Sequence, residues 1–380
     1  MKKIIGIFLF PLIVFPQEVF IKQLPENINT TSAEINFIQK NDTIAYFTVI
    51  TEKNGMPESN IYTTRFMNGE WGKKKYTNYN SDFFNTGNIS FLDGGRTFFT
   101  TYNNEMRDCK IVYLEQDTKD TLYEPASINS DQFFNTQPFI TTHNSQKVLY
   151  FVSERKGGFG GQDIWLSIIN NDGKFGVPIN AGNKINTPED EMTPFYNKHE
   201  GAMYFSSNKK GGAGGFDIYK AKGSLNLWRE AKNVKELNSN KDELYLTFYD
   251  EYSGYFASNR DGANFESAEY CCNDIFSFKY PPPIVQKIKS LSEVHKYLPL
   301  GLYFHNDEPD PRTMNRTTQK TYKEAYISYF MMKNAYEKEN QMLNNFFEEI
   351  LQQNFNTLNK VLEMLLFDLK NGNNMEIQIK

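Results

Sequence analysis

A phenylalanine set among aromatic and β-branched neighbours recurs along this chain at Phe47, Phe99, Phe151, Phe205 and Phe256, in steps of 52, 52, 54 and 51 residues. A fixed period of about 50 residues marks a protein built from copies of one supersecondary unit. Three copies match closely. Leu149-Tyr150-Phe151-Val152-Ser153 runs into a Gly-rich turn and then Asp163-Ile164-Trp165. Met203-Tyr204-Phe205-Ser206-Ser207 leads in the same way to Asp217-Ile218-Tyr219, and Gly254-Tyr255-Phe256-Ala257-Ser258 leads to Asp274-Ile275-Phe276. Two upstream copies, around Phe47 and Phe99, lack the double-Gly turn and the Asp.

Each copy reads as strands: a β-branched, aromatic run, a Gly-rich turn, then a second such run. Turns such as Asn170-Asn171-Asp172-Gly173 and Asn68-Gly69 have hairpin chemistry. An apolar segment precedes each anchor, as in Thr193-Pro194-Phe195-Tyr196. Its counterpart in the last copy, Leu244 to Tyr249, is expected to approach the blade from outside. Four short antiparallel strands per repeat predict a mainly β fold, a five-bladed β-propeller over residues 18–281. A helical solenoid is excluded by the missing 3.6-residue period; a β-sandwich is the structural alternative. Asn29-Thr30, Asn80-Ser81, Asn129-Ser130 and Asn186-Thr187 recur ahead of their anchors and are expected at the crossings between blades. Their side chains can bond nearby backbone where the chain leaves a strand. The last copy lacks a fourth strand before Pro281, so Val19-Phe20-Ile21 is predicted to complete the fifth blade and close the ring.

The repeat resembles the TolB-type, WD-like propeller repeats of envelope proteins of the Bacteroidota. That resemblance rests on Tyr204-Phe205-Ser206-Ser207-Asn208, on Gly211-Gly212 and Gly214-Gly215, and on Asp217-Ile218-Tyr219. It implies a protein-binding platform in the cell envelope, with envelope proteins as partners.

Residues 1–17 have the layout of a secretory signal peptide: Lys2-Lys3, an apolar run of about 12 residues, then Pro16-Gln17. This expectation makes the protein periplasmic. No later stretch is apolar enough for a transmembrane helix. Removing Lys2 and Lys3 takes the formal charge from −5 to −7, which argues against nucleic acid as a partner.

After Pro281-Pro282-Pro283 the composition changes. Leu298 to Phe304 is predicted as a strand, 318–370 as helix and Met375 to Lys380 as a strand. Residues 282–380 resemble the start of an OmpA-like C-terminal domain with a long helical insert, incomplete at Lys380. Such domains bind peptidoglycan, which implies a tether to the outer membrane.

No catalytic, cofactor or metal site is legible. Gly-x-Ser-x-Gly is absent, and His143, His199, His295 and His305 show no metal-pair spacing. The repeated Asp163, Asp217 and Asp274 are expected to be structural, accepting backbone N–H groups of the Gly-rich turns. The turns themselves lie between strands and lack the Lys-Ser/Thr ending of a phosphate loop. Cys109 is expected to be a free thiol, since its blade and that of Cys271 and Cys272 are not neighbours. The functional expectation is therefore a non-enzymatic envelope protein. The alternatives are a glycan-binding, lectin-like propeller and a degenerate hydrolase propeller.

Overall fold

The fold is seen in a computed structural model that describes residues 19–281, apart from 54, 93–94, 104–107, 116–120, 130–132, 144–145 and 265–272. Beyond these it describes 300–303, 321–332 and 346–370. The expected signal peptide, Cys271-Cys272, His295, His305 and Met375 to Lys380 lie outside the described residues. The chain divides into two compact units at Pro282/Pro283.

The first unit is a five-bladed β-propeller. The chain enters through β1 (Phe20–Gln23). Blade 1 follows as β2 (Ala33–Asn41), β3 (Ile44–Lys53) and β4 (Met56–Met67), with β5 (Glu70–Trp71) and β6 (Lys75–Tyr76) both pairing β4. Blade 2 is β7 (Asn85–Phe91), β8 (Thr97–Asn103) and β9 (Asp108–Leu114). Blade 3 is β10 (Asn135–His143), β11 (Gln146–Ser153), β12 (Asp163–Ile169) and β13 (Ile179–Asn180). Blade 4 is β14 (Glu191–Asn197), β15 (Ala202–Ser207) and β16 (Asp217–Ser224), with β17 (Leu227–Trp228) and β18 (Lys232–Asn233) on β16. Blade 5 is β19 (Glu243–Phe248), β20 (Ser253–Ser258) and β21 (Asp274–Lys279).

The ring closes as predicted from the missing fourth strand. β1 pairs antiparallel with β21, Phe20 opposite Lys279 and Ile21 opposite Phe278. The first and last strands of the propeller share one sheet, which leaves no open edge between blades 1 and 5.

The five anchors lie on the second strand of each blade and are at most 1% exposed. They pack between neighbouring blades: Phe47 clusters with Tyr255 and Ile275 of blade 5, and Phe205 with Val152 and Ile164 of blade 3. In the three closely matching copies a cation caps the anchor. Arg155 lies 4.8 Å from the Phe151 ring, Lys209 3.9 Å from Tyr219 beside Phe205, and Arg260 4.6 Å from Phe256. A guanidinium or ammonium over an aromatic face gains electrostatically while its stem covers apolar surface.

One strand assignment is corrected. The segment ahead of each anchor, expected in the last copy to approach from outside, is the innermost strand. β2, β7, β10, β14 and β19 meet around the propeller axis, because residues from all five line one narrow axial space. Each carries a bulge whose central residue is left-handed: Asn36 (φ 53°), Asn88 (φ 53°), Gln137 (φ 52°), Thr193 (φ 54°) and Tyr245 (φ 55°). Such a conformation costs non-glycine residues on the order of 1–3 kcal/mol. A bulge inserts one extra residue and re-aims the side chains that follow, and here it does so once per blade at the axis.

In the second unit, α1 (Tyr322–Met331) starts in a capping box, with Thr321 and Glu324 satisfying each other's backbone N–H groups. A π-helical turn, Phe346–Leu351, leads into α2 (Gln352–Lys370). Tyr326 stacks on Phe355 at 3.9 Å, and Phe347 and Leu351 are buried beside them. The predicted strand from Leu298 to Phe304 is not formed over its described part, Leu300–Tyr303. The predicted helix over 318–370 is present as α1 and as the segment from Phe346 to Lys370.

Candidate functional site: a bowl at one end of the propeller axis

The repeated aspartates begin the third strand of their blades and face the Gly-rich turns. Asp163 accepts from Phe159 N–H at 2.6 Å and from Asn180 at 3.1 Å. Asp217 accepts from Ala213 N–H at 2.6 Å and Gly214 N–H at 3.3 Å. Asp274 accepts from Asn264 N–H at 3.0 Å and from the Gln23 amide of the closing strand. All three are at most 1% exposed. Burial raises the Asp163 and Asp274 carboxyls, that of Asp274 to about 6, against the lowering pull of these donors. The turns are packed rather than open. A Cβ on Gly160 would stand 2.3 Å from the Glu189 carbonyl, and one on Gly214 only 1.7 Å from that of Lys241.

The N-terminal ends of three inner strands carry Glu34, Glu191 and Glu243, none of them exposed. Each accepts both the backbone N–H and the hydroxyl of a residue four positions earlier: Thr30, Thr187 and Ser239 respectively. Lys74 and Arg260 further pair with Glu34 and Glu243. These carboxylates are spent on the crossings between blades. Glu243 and its crossing, Asn238-Ser239, were not singled out in the sequence, although Asn-Ser followed four residues later by Glu was there to be found.

Between the ends of the inner strands, Gln137 spans the axis. Its Nε2 donates to the Tyr245 hydroxyl at 3.2 Å, and its Oε1 accepts from Thr193 N–H at 2.7 Å. The axial space at this level has room on the order of one water molecule (about 20 Å³).

Beyond this constriction the inner strands open into a bowl of about 450 Å³. Its floor is a row of rings from three successive blades, Phe139, Phe195 and Phe248, with centroids 4.8 and 6.0 Å apart. Phe91, Tyr196 and Tyr249 stand on the walls, and Thr141, Thr142, Asn197, Lys198, His199 and Asp250 supply polar groups. The aromatic side chains are half-buried and Tyr249 is 46% exposed. Tyr196 is braced from behind by His143, ring to ring at 4.2 Å. Burial, aided by the Lys198 charge, lowers His143 to about 4. His143 is therefore neutral near pH 7 and its Nε2 shares a 2.9 Å hydrogen bond with the Tyr150 hydroxyl.

The sequence shows Phe195, Tyr196, Phe248 and Tyr249 only as parts of apolar strand segments and His199 only as a histidine without metal-pair spacing, so the bowl itself is not legible there. Counted from the left-handed residue of each blade, the fourth position is Lys40, Leu92, Thr141, Asn197 or Tyr249. No residue type repeats there, so self-comparison passes over it. Among the described residues no group of three or more His, Cys, Asp or Glu is placed to hold a metal ion. No described helix is long and apolar enough to cross a membrane.

No known protein family matches the chain, and no curated protein matches it. Solved structures are similar in fold. A thermostable family-43 glycoside hydrolase is 12% identical with a TM-score of 0.46, over 68% of this chain and 96% of that one. The catalytic domain of the Coprinopsis cinerea GH62 α-L-arabinofuranosidase is 9% identical with a TM-score of 0.45, over 70% and 98%. An endo-arabinase from Bacteroides thetaiotaomicron is 14% identical with a TM-score of 0.44, over 68% and 97%. The functional expectation drawn from the sequence is corrected accordingly. No family match stands behind the TolB-type or OmpA-like resemblance, and the propellers this chain is similar to bear the names of glycoside hydrolases. The non-enzymatic platform with its peptidoglycan tether is withdrawn.

Proposed function

We propose that this protein is a glycan-binding propeller whose ligand lies in the axial bowl. The observation that carries the reading is the half-buried row Phe139, Phe195 and Phe248, walled by Tyr196 and Tyr249 and rimmed with hydroxyl, amide and charged groups. A sugar ring has an apolar face of C–H groups and an edge of hydroxyls. Aromatic rings serve the first and polar rim groups the second. Recognition sites for small ligands run from about 300 to 1,000 Å³, mostly apolar with a few placed polar groups, and the bowl lies within that range.

The test is affinity electrophoresis of the whole chain through gels cast with neutral and acidic polysaccharides, beside a reducing-end assay on the same mixtures. Retardation by at least one polysaccharide is expected, and Tyr249→Ala should abolish most of it without changing Tm. Migration unaffected by every polysaccharide would overturn the reading. Release of reducing ends would show that cleavage follows binding; glycoside hydrolysis of the usual kind uses two carboxyl groups about 5–9.5 Å apart.

A further inference from the structure

We infer that the glycan is acidic, a chain carrying uronic-acid carboxylates, and that Lys40 and Lys198 read its charge. The inference rests on the glycan-binding reading of the bowl. Lys198 lines the bowl and is exposed; its Nζ donates to Thr142 Oγ1 at 3.0 Å. Lys40 is the exposed fourth residue after the left-handed Asn36 and sits at a second bulge of its strand, between Gln39 and Asn41. Its Nζ lies 4.6 Å from the ring centroid of Phe91, itself a bowl residue.

Neither lysine forms an ion pair among the described residues. Two of the nearby carboxylates are already engaged. Asp250 Oδ1 accepts from Tyr252 N–H at 2.7 Å and Ser253 N–H at 2.6 Å, closing the turn between β19 and β20. Glu200, two residues from Lys198, accepts from the Tyr204 hydroxyl at 2.7 Å and pairs with Lys220 at 3.3 Å. Two exposed lysines thus stand beside an aromatic platform, on a chain whose formal net charge is −5. An ammonium is a compact hydrated point charge. It suits a carboxylate held at a solvent-facing rim while the sugar ring lies on Phe248 and Tyr249.

The experiment is calorimetric titration of the whole chain with oligogalacturonate and with its fully methyl-esterified form, which keeps the rings and removes the charge. The free acid should bind about tenfold more tightly, the effect of two exposed ion pairs, and the excess should shrink as salt screens it. Lys40→Gln and Lys198→Gln should each cut the preference for the free acid over the ester to about threefold. Equal binding of acid and ester would overturn the inference and leave the glycan reading standing. So would loss of affinity for both forms in the lysine variants. Binding of poly-aspartate as tight as that of the uronate would identify an acidic peptide as the ligand and overturn the inference. If neither the uronate nor any neutral oligosaccharide binds, both readings fall.

Discussion

Asn29, at the entrance to blade 1, clamps the backbone of Ile275 in blade 5: its Oδ1 accepts the Ile275 N–H at 2.8 Å and its Nδ2 donates to the Ile275 carbonyl at 3.0 Å. The same two-point clamp joins Asn80 to Ile61, Asn129 to Ile111, Asn186 to Ile164 and Asn238 to Ile218. One asparagine per blade thus satisfies a backbone N–H and adds a donor to a C=O, which in blades 3, 4 and 5 also accepts the N–H of Ala181, Val234 or Leu24. The clamp at Asn29 differs only in joining the two ends of the propeller. Asn29→Ala should cost about 2 kcal/mol, read by urea unfolding of the whole chain. Asn186→Ala, which breaks a clamp between sequential blades, should cost a similar amount. A change at Asn29 much below that at Asn186 would mean that the closing junction adds little.

Stability should fall with pH around Asp274. Burial raises this carboxyl from the ordinary 3.8 to about 6, and the Glu34 charge adds to the rise. An acid with a raised folded value holds its proton more tightly when folded. Its stabilising contribution is full below about pH 4 and is lost as pH climbs through about 6, with a span on the order of 3 kcal/mol. Asp163 and Glu191 are raised as well and add to the same slope. Asp274→Asn should flatten the fall in unfolding free energy between pH 4 and pH 7. An unchanged slope would show that Asp274 ionises normally in the fold.

The Gly-rich turns should tolerate side chains only where they point outward. Gly214→Ala drives a Cβ into the Lys241 carbonyl, and a cost of about 3 kcal/mol is expected. Ala213→Ser, at the exposed neighbour, should change stability by less than about 0.5 kcal/mol. Chemical denaturation of the pair checks both, and equal effects would contradict the packed-turn description.

Cys109 should be unreactive in the folded protein. Its Sγ lies 3.6 Å from the Asn135 carbonyl, and burial pushes the thiol up to about 12. A thiol attacks as its thiolate. Iodoacetamide at pH 8 followed by peptide mapping should find Cys109 unmodified until denaturant is added. Rapid labelling without denaturant would contradict the raised thiol.

The fold was legible because its main determinant repeats. Phe47, Phe99, Phe151, Phe205 and Phe256 fill the same slot between blades, so packing imposes the same residue five times. The missing fourth strand of the last copy pointed to β1 for a similar reason: an unpaired edge is costly in every blade. The order of strands within a blade was not legible, because a short apolar run such as Leu244 to Tyr249 reads alike on the inner and outer sides. The bowl left still less trace. Its shape comes from left-handed bulges at Asn36, Asn88, Gln137, Thr193 and Tyr245, none a glycine, and its lining differs from blade to blade. A repeat reports what every blade needs, whereas a single axial site is assembled from what each blade contributes differently.

The central claim is that a glycan occupies the bowl, and hydroxyl-radical footprinting with and without the tightest-binding saccharide tests it most directly. Tyr249, Tyr196 and Phe248 should lose reactivity on binding. Phe83 and Tyr76, exposed at 84% and 57% and absent from the bowl lining, should react as before. Protection at Phe83 or Tyr76 with Tyr249, Tyr196 and Phe248 unchanged would place the ligand elsewhere and contradict the account.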